Sequence, residues 1–289
     1  MALIDELIAG GPVLLDGAWG TQLQARGLAA GETPDLWNLE HADRVEEVAR
    51  AYVEAGSDII LTNTFRANCI ALADHADLSK LDQVNRAGVE ISRRAAARRA
   101  RVFASIGPSG KLLLTGQVDE PSLRAAFEQQ ARALAAGGAD AIVVETMADL
   151  EEARFAIDAA RATGLPVVAC MVYDSGRQKD CTMMGVTPEQ AAEALSKAGA
   201  DVIGANCGNG IDGYIPICAR LASATDRPIW IKANAGLPEI EGGEVVYRTT
   251  PDEFASRLGE LVDAGASFIG GCCGTNPAFI AALKCRLDA

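Results

Sequence analysis

Ala198-Gly199-Ala200-Asp201-Val202-Ile203 is one of four copies of a phrase that recurs along the chain. The other copies share its glycine and its apolar end: Ala55-Gly56-Ser57-Asp58-Ile59-Ile60, Gly137-Gly138-Ala139-Asp140-Ala141-Ile142 and Ala264-Gly265-Ala266-Ser267-Phe268-Ile269. Glycine suits the position just after a helix, where φ is positive. The short apolar run that follows is typical of a buried parallel strand. Each phrase therefore predicts the end of a helix and the start of a strand.

Four more apolar runs alternate with the phrases: Val13 to Leu15, Val102 to Ile106, Val167 to Met171 and Ile229 to Ile231. Helical periodicity fills five of the intervening segments: Arg44 to Glu54, Leu81 to Arg99, Leu123 to Ala136, Leu150 to Ala162 and Pro188 to Lys197. Eight strands alternating with helices, without a linker rich in Gly, Ser or Pro, predict one α/β domain over residues 1–289, a (β/α)8 TIM barrel. A doubly wound open sheet is the alternative, because periodicity does not show closure.

Composition excludes several classes of partner. The chain carries 26 Lys and Arg against 39 Asp and Glu, a net charge of −13. An acidic protein repels phosphate backbones and anionic lipid, so we expect neither nucleic acid nor membrane as partner. Its apolar runs are far shorter than the roughly 20 residues that a bilayer requires. The N-terminal residues have early acids and no basic signal region. We therefore expect a cytoplasmic protein whose eight cysteines stay reduced.

Polar residues directly follow the predicted strands, where a barrel of this kind places its chemistry. These segments are Asp16-Gly17-Ala18-Trp19-Gly20-Thr21, Asn63-Thr64-Phe65-Arg66, Glu145-Thr146, Asn206-Cys207-Gly208, Asn234-Ala235-Gly236 and Gly271-Cys272-Cys273-Gly274. Because the strands of a barrel end at one mouth, these side chains are expected to converge on one site.

Three of the cysteines, Cys207, Cys272 and Cys273, fall at predicted strand ends. Three thiolates and one open position make a catalytic zinc site, since zinc is tetrahedral and favours sulfur. The alternative is that they are small buried hydrophobic residues, as free cysteine often is. That second interpretation is the one we adopt for the remaining five: Cys69, Cys170, Cys181, Cys218 and Cys285.

Three motifs carry a family resemblance: Gly270-Gly271-Cys272-Cys273-Gly274-Thr275, Gly204-Ala205-Asn206-Cys207 and Leu15-Asp16-Gly17-Ala18-Trp19-Gly20-Thr21. The chain resembles the homocysteine S-methyltransferase family along nearly its whole length. The resemblance implies a (β/α)8 barrel with three cysteine zinc ligands, and an enzyme that methylates the thiol of homocysteine to give methionine.

The resemblance also implies roles for individual residues. Cys207, Cys272 and Cys273 match the zinc ligands. Asp16 and Gly17 match the loop that touches the homocysteine backbone, and Glu145 matches the acid that binds the substrate ammonium. Asn206 is included among the expected substrate contacts. The alternatives are a helix N-terminal acid for Glu145 and a turn residue before glycine for Asp16.

The methyl donor is less constrained. A betaine enzyme needs an aromatic cage, but the positions of the family's cage hold Arg66 and Thr146, and Trp37 is more typical of a packing residue. Asn63-Thr64-Phe65 and Asn234-Ala235-Gly236-Leu237-Pro238 resemble the branch of cobalamin-dependent methionine synthase, whose homocysteine module takes its methyl from methylcobalamin.

Neither histidine, His41 or His75, lies in the Asp-x-His-x-x-Gly motif of a corrinoid module. A separate corrinoid protein is therefore the expected donor, with S-methylmethionine or betaine as alternatives.

Two other function classes stay open. One is a non-catalytic zinc- or thiol-binding barrel, although a zinc site with an open position favours an enzyme. The other is an aldolase, for which Lys232 stands at a strand end but the cysteines would have no role. The sequence does not assign roles to Arg66, Trp19, Trp37 or Lys232.

Overall fold

The computed structural model describes residues 2–242 and 244–288. Within these ranges the strands are β1 (Val13–Leu14), β2 (Ile59–Ile60), β3 (Arg101–Ile106), β4 (Ala141–Met147), β5 (Val167–Met171), β6 (Val202–Gly210), β7 (Ile229–Asn234), β8 (Glu239–Glu241), β9 (Glu244–Val246) and β10 (Ala266–Gly271). Eight of them form one parallel sheet in the order β1-β10-β7-β6-β5-β4-β3-β2. The other two, β8 and β9, pair as an antiparallel hairpin after β7.

Helices separate the strands of the large sheet. They are α1 (Ala2–Ile8), α2 (Gly20–Gln24), α3 (Trp37–Glu40), α4 (Ala42–Glu54), α5 (Leu81–Ala96), α6 (Glu120–Ala136), α7 (Leu150–Arg161), α8 (Pro188–Ala198), α9 (Ile211–Ser223), α10 (Pro251–Ser256), α11 (Leu258–Asp263) and α12 (Pro277–Leu287). In the part of the chain that the structure describes, no helix combines the length and the hydropathy needed to cross a bilayer.

The two ends of the sheet meet at Asp58. Its backbone N–H donates to Leu14 O at 2.8 Å, and its carboxylate accepts from Leu14 N at 2.8 Å. These bonds join the β2 side of the sheet to β1, so the strands form a nearly closed barrel. The predicted (β/α)8 TIM barrel is confirmed, and the doubly wound alternative is excluded.

The aspartate of the recurring phrase has the same role in two other copies. Asp140 accepts from Val102 N at 2.8 Å, and Asp201 accepts from Val167 N at 2.9 Å. Each aspartate stands just before its own strand. Its carboxylate accepts from the N–H at the start of the preceding strand in the sheet, a donor that the aspartate's own strand does not reach. The phrase glycines have positive φ, as predicted: Gly56, Gly138, Gly199 and Gly265.

Helix α8 shows how the sequence sets the boundaries of one unit. Thr187 and Gln190 form a capping box around Pro188 at the start of the helix, a pattern that satisfies two otherwise free N–H groups. The helix ends at Gly199, whose φ is 92°. Three residues later, at Val202, the chain enters β6, which leads to Asn206 and Cys207 at the barrel mouth.

The barrel interior is filled by side chains rather than open. Trp230 packs between Phe103 and Phe268, with ring centroids 6.0 and 5.4 Å apart. Ile4 of α1 belongs to the same buried cluster and closes the N-terminal end. A second apolar layer lies between the strands and the helices. The open end of the barrel is therefore the one at which the strands finish.

Two helix boundaries differ from prediction by three residues. The helix predicted over Leu81 to Arg99 ends at Ala96, because Ala97 and Arg98 have positive φ values of 46° and 66°. The helix predicted from Leu123 begins at Glu120, because the Asp119 side chain accepts from Ser122 N and caps the helix there.

Candidate active site

Cys207, Cys272 and Cys273 converge at the barrel mouth. Their sulfur atoms lie within 4.8 Å of one another, and those of Cys207 and Cys273 are 3.8 Å apart. Cys207 lies in β6 with a φ of 63°, a left-handed conformation that is uncommon outside glycine. Cys272 directly follows β10 and stays attached to β7, because its N–H donates to Ala233 O at 2.7 Å.

Gly274 allows the chain to turn away after the paired cysteines. Its φ is +80°, and a Cβ there would lie 2.2 Å from the ring of Tyr247. Any larger residue would displace the Tyr247 ring. The glycine is therefore required both for the turn and for the close approach of this ring.

The chemistry of the thiols favours a cation between them. Hydrogen bonding with Cys207, together with burial, raises the pKa of Cys272 to about 12. Three thiolates at these separations would repel one another, so their joint ionisation needs a positive charge nearby. A set of three sulfurs that leaves one position for an outside ligand fits a tetrahedral, thiophilic ion such as zinc.

A cavity of about 430 Å³ opens beside the three cysteines. Its walls include the rings of Trp19 and Phe65, and its polar lining includes Glu145 and Lys232. Apolar walls with a few convergent polar groups are typical of a small-molecule site. A ligand in this cavity would have both the sulfur cluster and charged groups within its lining.

Glu145 is buried in the lining, and its carboxylate is held from two sides. Ser105 Oγ donates to Oε1 at 2.5 Å, and Asn206 Nδ2 donates to Oε2 at 3.2 Å. Burial raises the pKa of Glu145 above its ordinary value, although Lys232 and Ser105 oppose the shift. Glu145 lies within β4, and Asp149 caps the following helix, so the helix-terminal role does not describe it.

Asp16 and Lys232 form a buried ion pair, with Oδ1 and Nζ 2.5 Å apart. The second carboxylate oxygen of Asp16 accepts from Trp19 Nε1 and Leu61 N, both at 2.7 Å. Asp16 is fully buried and lies behind the cavity lining, whereas Gly17 and Lys232 belong to the lining. The carboxylate thus fixes a cation and an aromatic ring that face the cavity.

Lys232 remains charged in this position. Burial lowers its pKa, but attraction to Asp16 and Glu145 outweighs burial and raises the pKa above its ordinary value. A lysine that forms a Schiff base must lose its proton readily. The charge state of Lys232 therefore argues against the aldolase alternative.

The comparisons with known proteins agree with this geometry. Residues 13–287 match the family model described as homocysteine S-methyltransferase. The chain belongs to the homocysteine S-methyltransferase family. It is 33% identical over 284 residues to methionine synthase of Mycobacterium tuberculosis, covering 92% of this chain and 24% of that protein. Identity to methionine synthase of Mycobacterium leprae is 31% over 288 residues. The chain spans about a quarter of the length of these relatives.

Solved structures show the same barrel. The metallated form of the homocysteine methyltransferase MmuM from Escherichia coli superposes with a TM-score of 0.80 at 25% identity, covering 99% of this chain and 98% of that one. The carboxyl transferase domain of Rhizobium etli pyruvate carboxylase, at a TM-score of 0.56 and 15% identity, shares the fold alone.

The three residues considered for a donor cage do not all face the cavity of this homocysteine S-methyltransferase family member. Arg66 and Thr146 line the cavity, whereas Trp37 is buried against His41, with ring centroids 4.6 Å apart, and does not line it.

Asp35 lies beside Arg66, whose backbone N donates to Asp35 Oδ1 at 2.9 Å. Burial raises the pKa of Asp35 to about 6.

Sequence reasoning missed three residues at or beside the candidate site: Ser105, Phe65 as a wall, and Tyr247. Ser105 is the polar residue near the end of β3, so attention to strand ends would have found it. Phe65 packs against Gly107, where a Cβ would lie 2.5 Å from its ring. Tyr247 follows β9, and no local pattern places that hairpin beside the cysteines.

Proposed function

We propose that residues 1–289 act as a single domain that transfers a methyl group to the thiol of homocysteine, giving methionine, with zinc held by Cys207, Cys272 and Cys273. One observation carries this proposal: three converging thiols and a buried carboxylate, Glu145, face the same cavity. A thiol amino acid has a thiol for the sulfur cluster and an ammonium group for the carboxylate. With all eight cysteines free, we place the reaction in the reducing cytoplasm.

Bound zinc would lower the pKa of a coordinated thiol and keep its sulfur nucleophilic. The protein supplies the rest. Glu145, oriented by Ser105 and Asn206, accepts hydrogen bonds from the substrate ammonium. Asp16, behind the lining, holds Lys232 and Trp19 in place. Gly17 is the part of this loop against which the substrate backbone lies. Asn206 positions Glu145 and reaches toward the cluster, with Nδ2 4.0 Å from Cys272 Sγ.

We further propose that the methyl group arrives on a methylated corrinoid carried by a separate protein. In the described part of the chain, every large hydrophobic side chain that is exposed lies in a connection between a strand of the large sheet and α4, α5, α6, α8 or α10, at the end of the barrel that holds the cysteines. These residues are Leu39, Leu78, Leu114, Met183, Met184, Leu237, Ile240 and Val245. Exposed apolar residues gathered on one face are typical of a protein-binding surface. A small donor would need no such surface.

A small cationic donor is the second candidate, because Trp19 and Phe65 line the cavity and aromatic faces attract quaternary ammonium and sulfonium groups. Arg66 in the same lining opposes betaine, since like charges repel. The Trp19 ring is also fixed by its hydrogen bond to Asp16.

Zinc-loaded protein and homocysteine, mixed separately with betaine, S-methylmethionine and free methylcobalamin, test the donor by the mass of the product. We expect methionine with methylcobalamin and little or none with betaine. Robust turnover with either small donor would overturn the corrinoid proposal while supporting the methyltransferase. Zinc binding without turnover from any donor would instead favour the non-catalytic thiol-binding barrel.

A further inference from the structure

Five arginines crowd the turn between α5 and β3, at the N-terminal end of the barrel and opposite the cysteines. They are Arg93, Arg94, Arg98, Arg99 and Arg101. This density is unusual in a chain with 26 basic and 39 acidic residues. Like charges so close together repel one another unless something compensates them.

A cavity of about 550 Å³ lies at this turn. Its charged lining consists of Arg93, Arg98, Arg99, Arg101, Asp58 and Asp140. Both aspartates already bind strand amides, Asp58 from Leu14 N and Asp140 from Val102 N. They close the barrel and cap β3, so they do not turn freely toward the arginines.

Three of the five guanidinium groups have no acidic partner. Arg94 pairs with Glu46 at 3.0 Å, and Arg101 lies 3.8 Å from Asp140. Arg98 and Arg99, by contrast, form no ion pair within 4.0 Å among residues 2–242 and 244–288. Arg93 also lacks one there, and its Nη1 donates to Gly138 O at 2.6 Å. The cavity therefore has an excess of positive charge that the rest of the described chain does not neutralise.

The backbone at the start of this turn has an unusual conformation. Ala97 and Arg98 are consecutive non-glycine residues in the left-handed region, with φ values of 46° and 66°. Such a conformation costs energy and persists only where the surroundings impose it. Ala95 and Ala96, just before it, are buried and anchor the turn to the barrel.

We propose that this cavity is a binding site for a small anion that carries two or more phosphate groups. The guanidinium fork matches phosphate oxygens in a bidentate way, and several forks around one cavity suit several phosphates. The net charge of −13 disfavours a long polyanion that would extend over the acidic surface, whereas a small one stays inside the basic cavity.

Inorganic triphosphate is the probe, titrated into the full chain by calorimetry, with sulfate at equal ionic strength as the reference. We expect saturable binding of triphosphate with at least tenfold weaker binding of sulfate. The double change Arg98→Gln and Arg99→Gln should weaken triphosphate binding at least tenfold. The matched control, Arg132→Gln with Arg177→Gln, removes the same charge from exposed sites elsewhere and should bind like the parent.

Replacing Arg98 and Arg99 by lysine keeps the charge but removes the fork, and should give intermediate affinity. No saturable binding to the parent, or equal weakening in the target and control pairs, would overturn the proposal. Melting curves without ligand, which should match for all variants, exclude unfolding as the cause. The experiment requires neither zinc nor homocysteine, so its outcome is independent of the methyltransferase proposal.

Discussion

The Asn206 side chain holds Thr146 by two hydrogen bonds of 2.7 Å. Thr146 N donates to Asn206 Oδ1, and Asn206 Nδ2 donates to Thr146 Oγ1. Thr146 has a φ of 60°, which is rare for a β-branched residue. The same amide group also donates to Glu145. One side chain of β6 therefore fixes both a strained turn and the carboxylate beside it.

Asn206→Ala should lower the free energy of unfolding by about 2 to 3 kcal/mol, because it removes buried hydrogen bonds and leaves Thr146 strained. It should also raise KM for homocysteine, because Glu145 loses its orientation. Adding Thr146→Gly should restore about 1 kcal/mol of stability, since glycine accepts this φ without strain. Urea unfolding of the zinc-loaded variants measures both effects.

The neighbouring Asn209 provides the control for Asn206. Its Nδ2 donates to Tyr173 O at 2.9 Å and Lys179 O at 2.8 Å. Asn209→Ala should therefore cost similar stability but leave KM unchanged, and Thr146→Gly should not rescue it. If both asparagine variants changed KM alike, the effect would belong to β6 as a whole.

Alanine in place of Cys207, Cys272 or Cys273 should abolish tight zinc binding, because two thiolates are too few to hold the metal. The measurement is the zinc-to-protein ratio after exhaustive dialysis. Cys285→Ala, an exposed position on α12, should retain one zinc per chain. Full occupancy in any of the three cluster variants would remove that residue from the ligand set.

Glu145→Gln should raise KM for homocysteine about 10- to 100-fold with zinc content unchanged, since a charge-assisted contact contributes about 1.5 to 3 kcal/mol. Glu152→Gln is the matched control, because the Glu152 carboxylate accepts from Ser109 N at 2.7 Å and does not line the cavity. Steady-state kinetics over a wide homocysteine range decide the matter. An unchanged KM for Glu145→Gln would leave the ammonium without its proposed partner.

Asp35 should make stability depend on pH. Its pKa in the folded state, about 6, exceeds the ordinary value of 3.8. Between these two pH values the folded state therefore holds a proton that the unfolded state has released. Stability from this group is present at low pH and is lost as pH rises through about 6. Between pH 5 and 7 the parent should lose about 1 kcal/mol more than Asp35→Asn. Parallel urea curves at both pH values for the two proteins would contradict this.

The sequence predicted the barrel because its signals are local. Gly199 and its counterparts terminate helices through their own backbone conformation, and apolar runs mark buried strands wherever they pair. The rule that chemistry follows strands brought Glu145 and Cys207 to one site. The distances among the cysteine sulfurs required the folded chain.

Long-range relationships escaped prediction. Asp16 and Lys232 are 216 positions apart, so the sequence around neither residue predicts their ion pair, which withdraws the carboxylate from the cavity. The alternation in Glu239–Glu241 and Glu244–Val246 around two glycines is a hairpin signal, but a local signal does not place the hairpin beside the cysteines. The early end of α5 was hidden because alanine and arginine favour helix, and only packing imposes the turn at Ala97.

The junction at Asp58 also sets where the barrel loosens. β1 and β2 have two residues each, the shortest strands of the large sheet in the described ranges, and the bonds that join them come largely from one residue. Native-state hydrogen exchange should therefore find the least protected barrel amides here, at Leu14 in β1 and at Leu61 just after β2, while those of β4 to β6 exchange only on global unfolding. Leu61 N bonds to Asp16, so each such opening would briefly release the carboxylate that anchors Lys232. The rate at which the junction between β1 and β2 opens would then limit how quickly Lys232 and its neighbours in the cavity wall can rearrange.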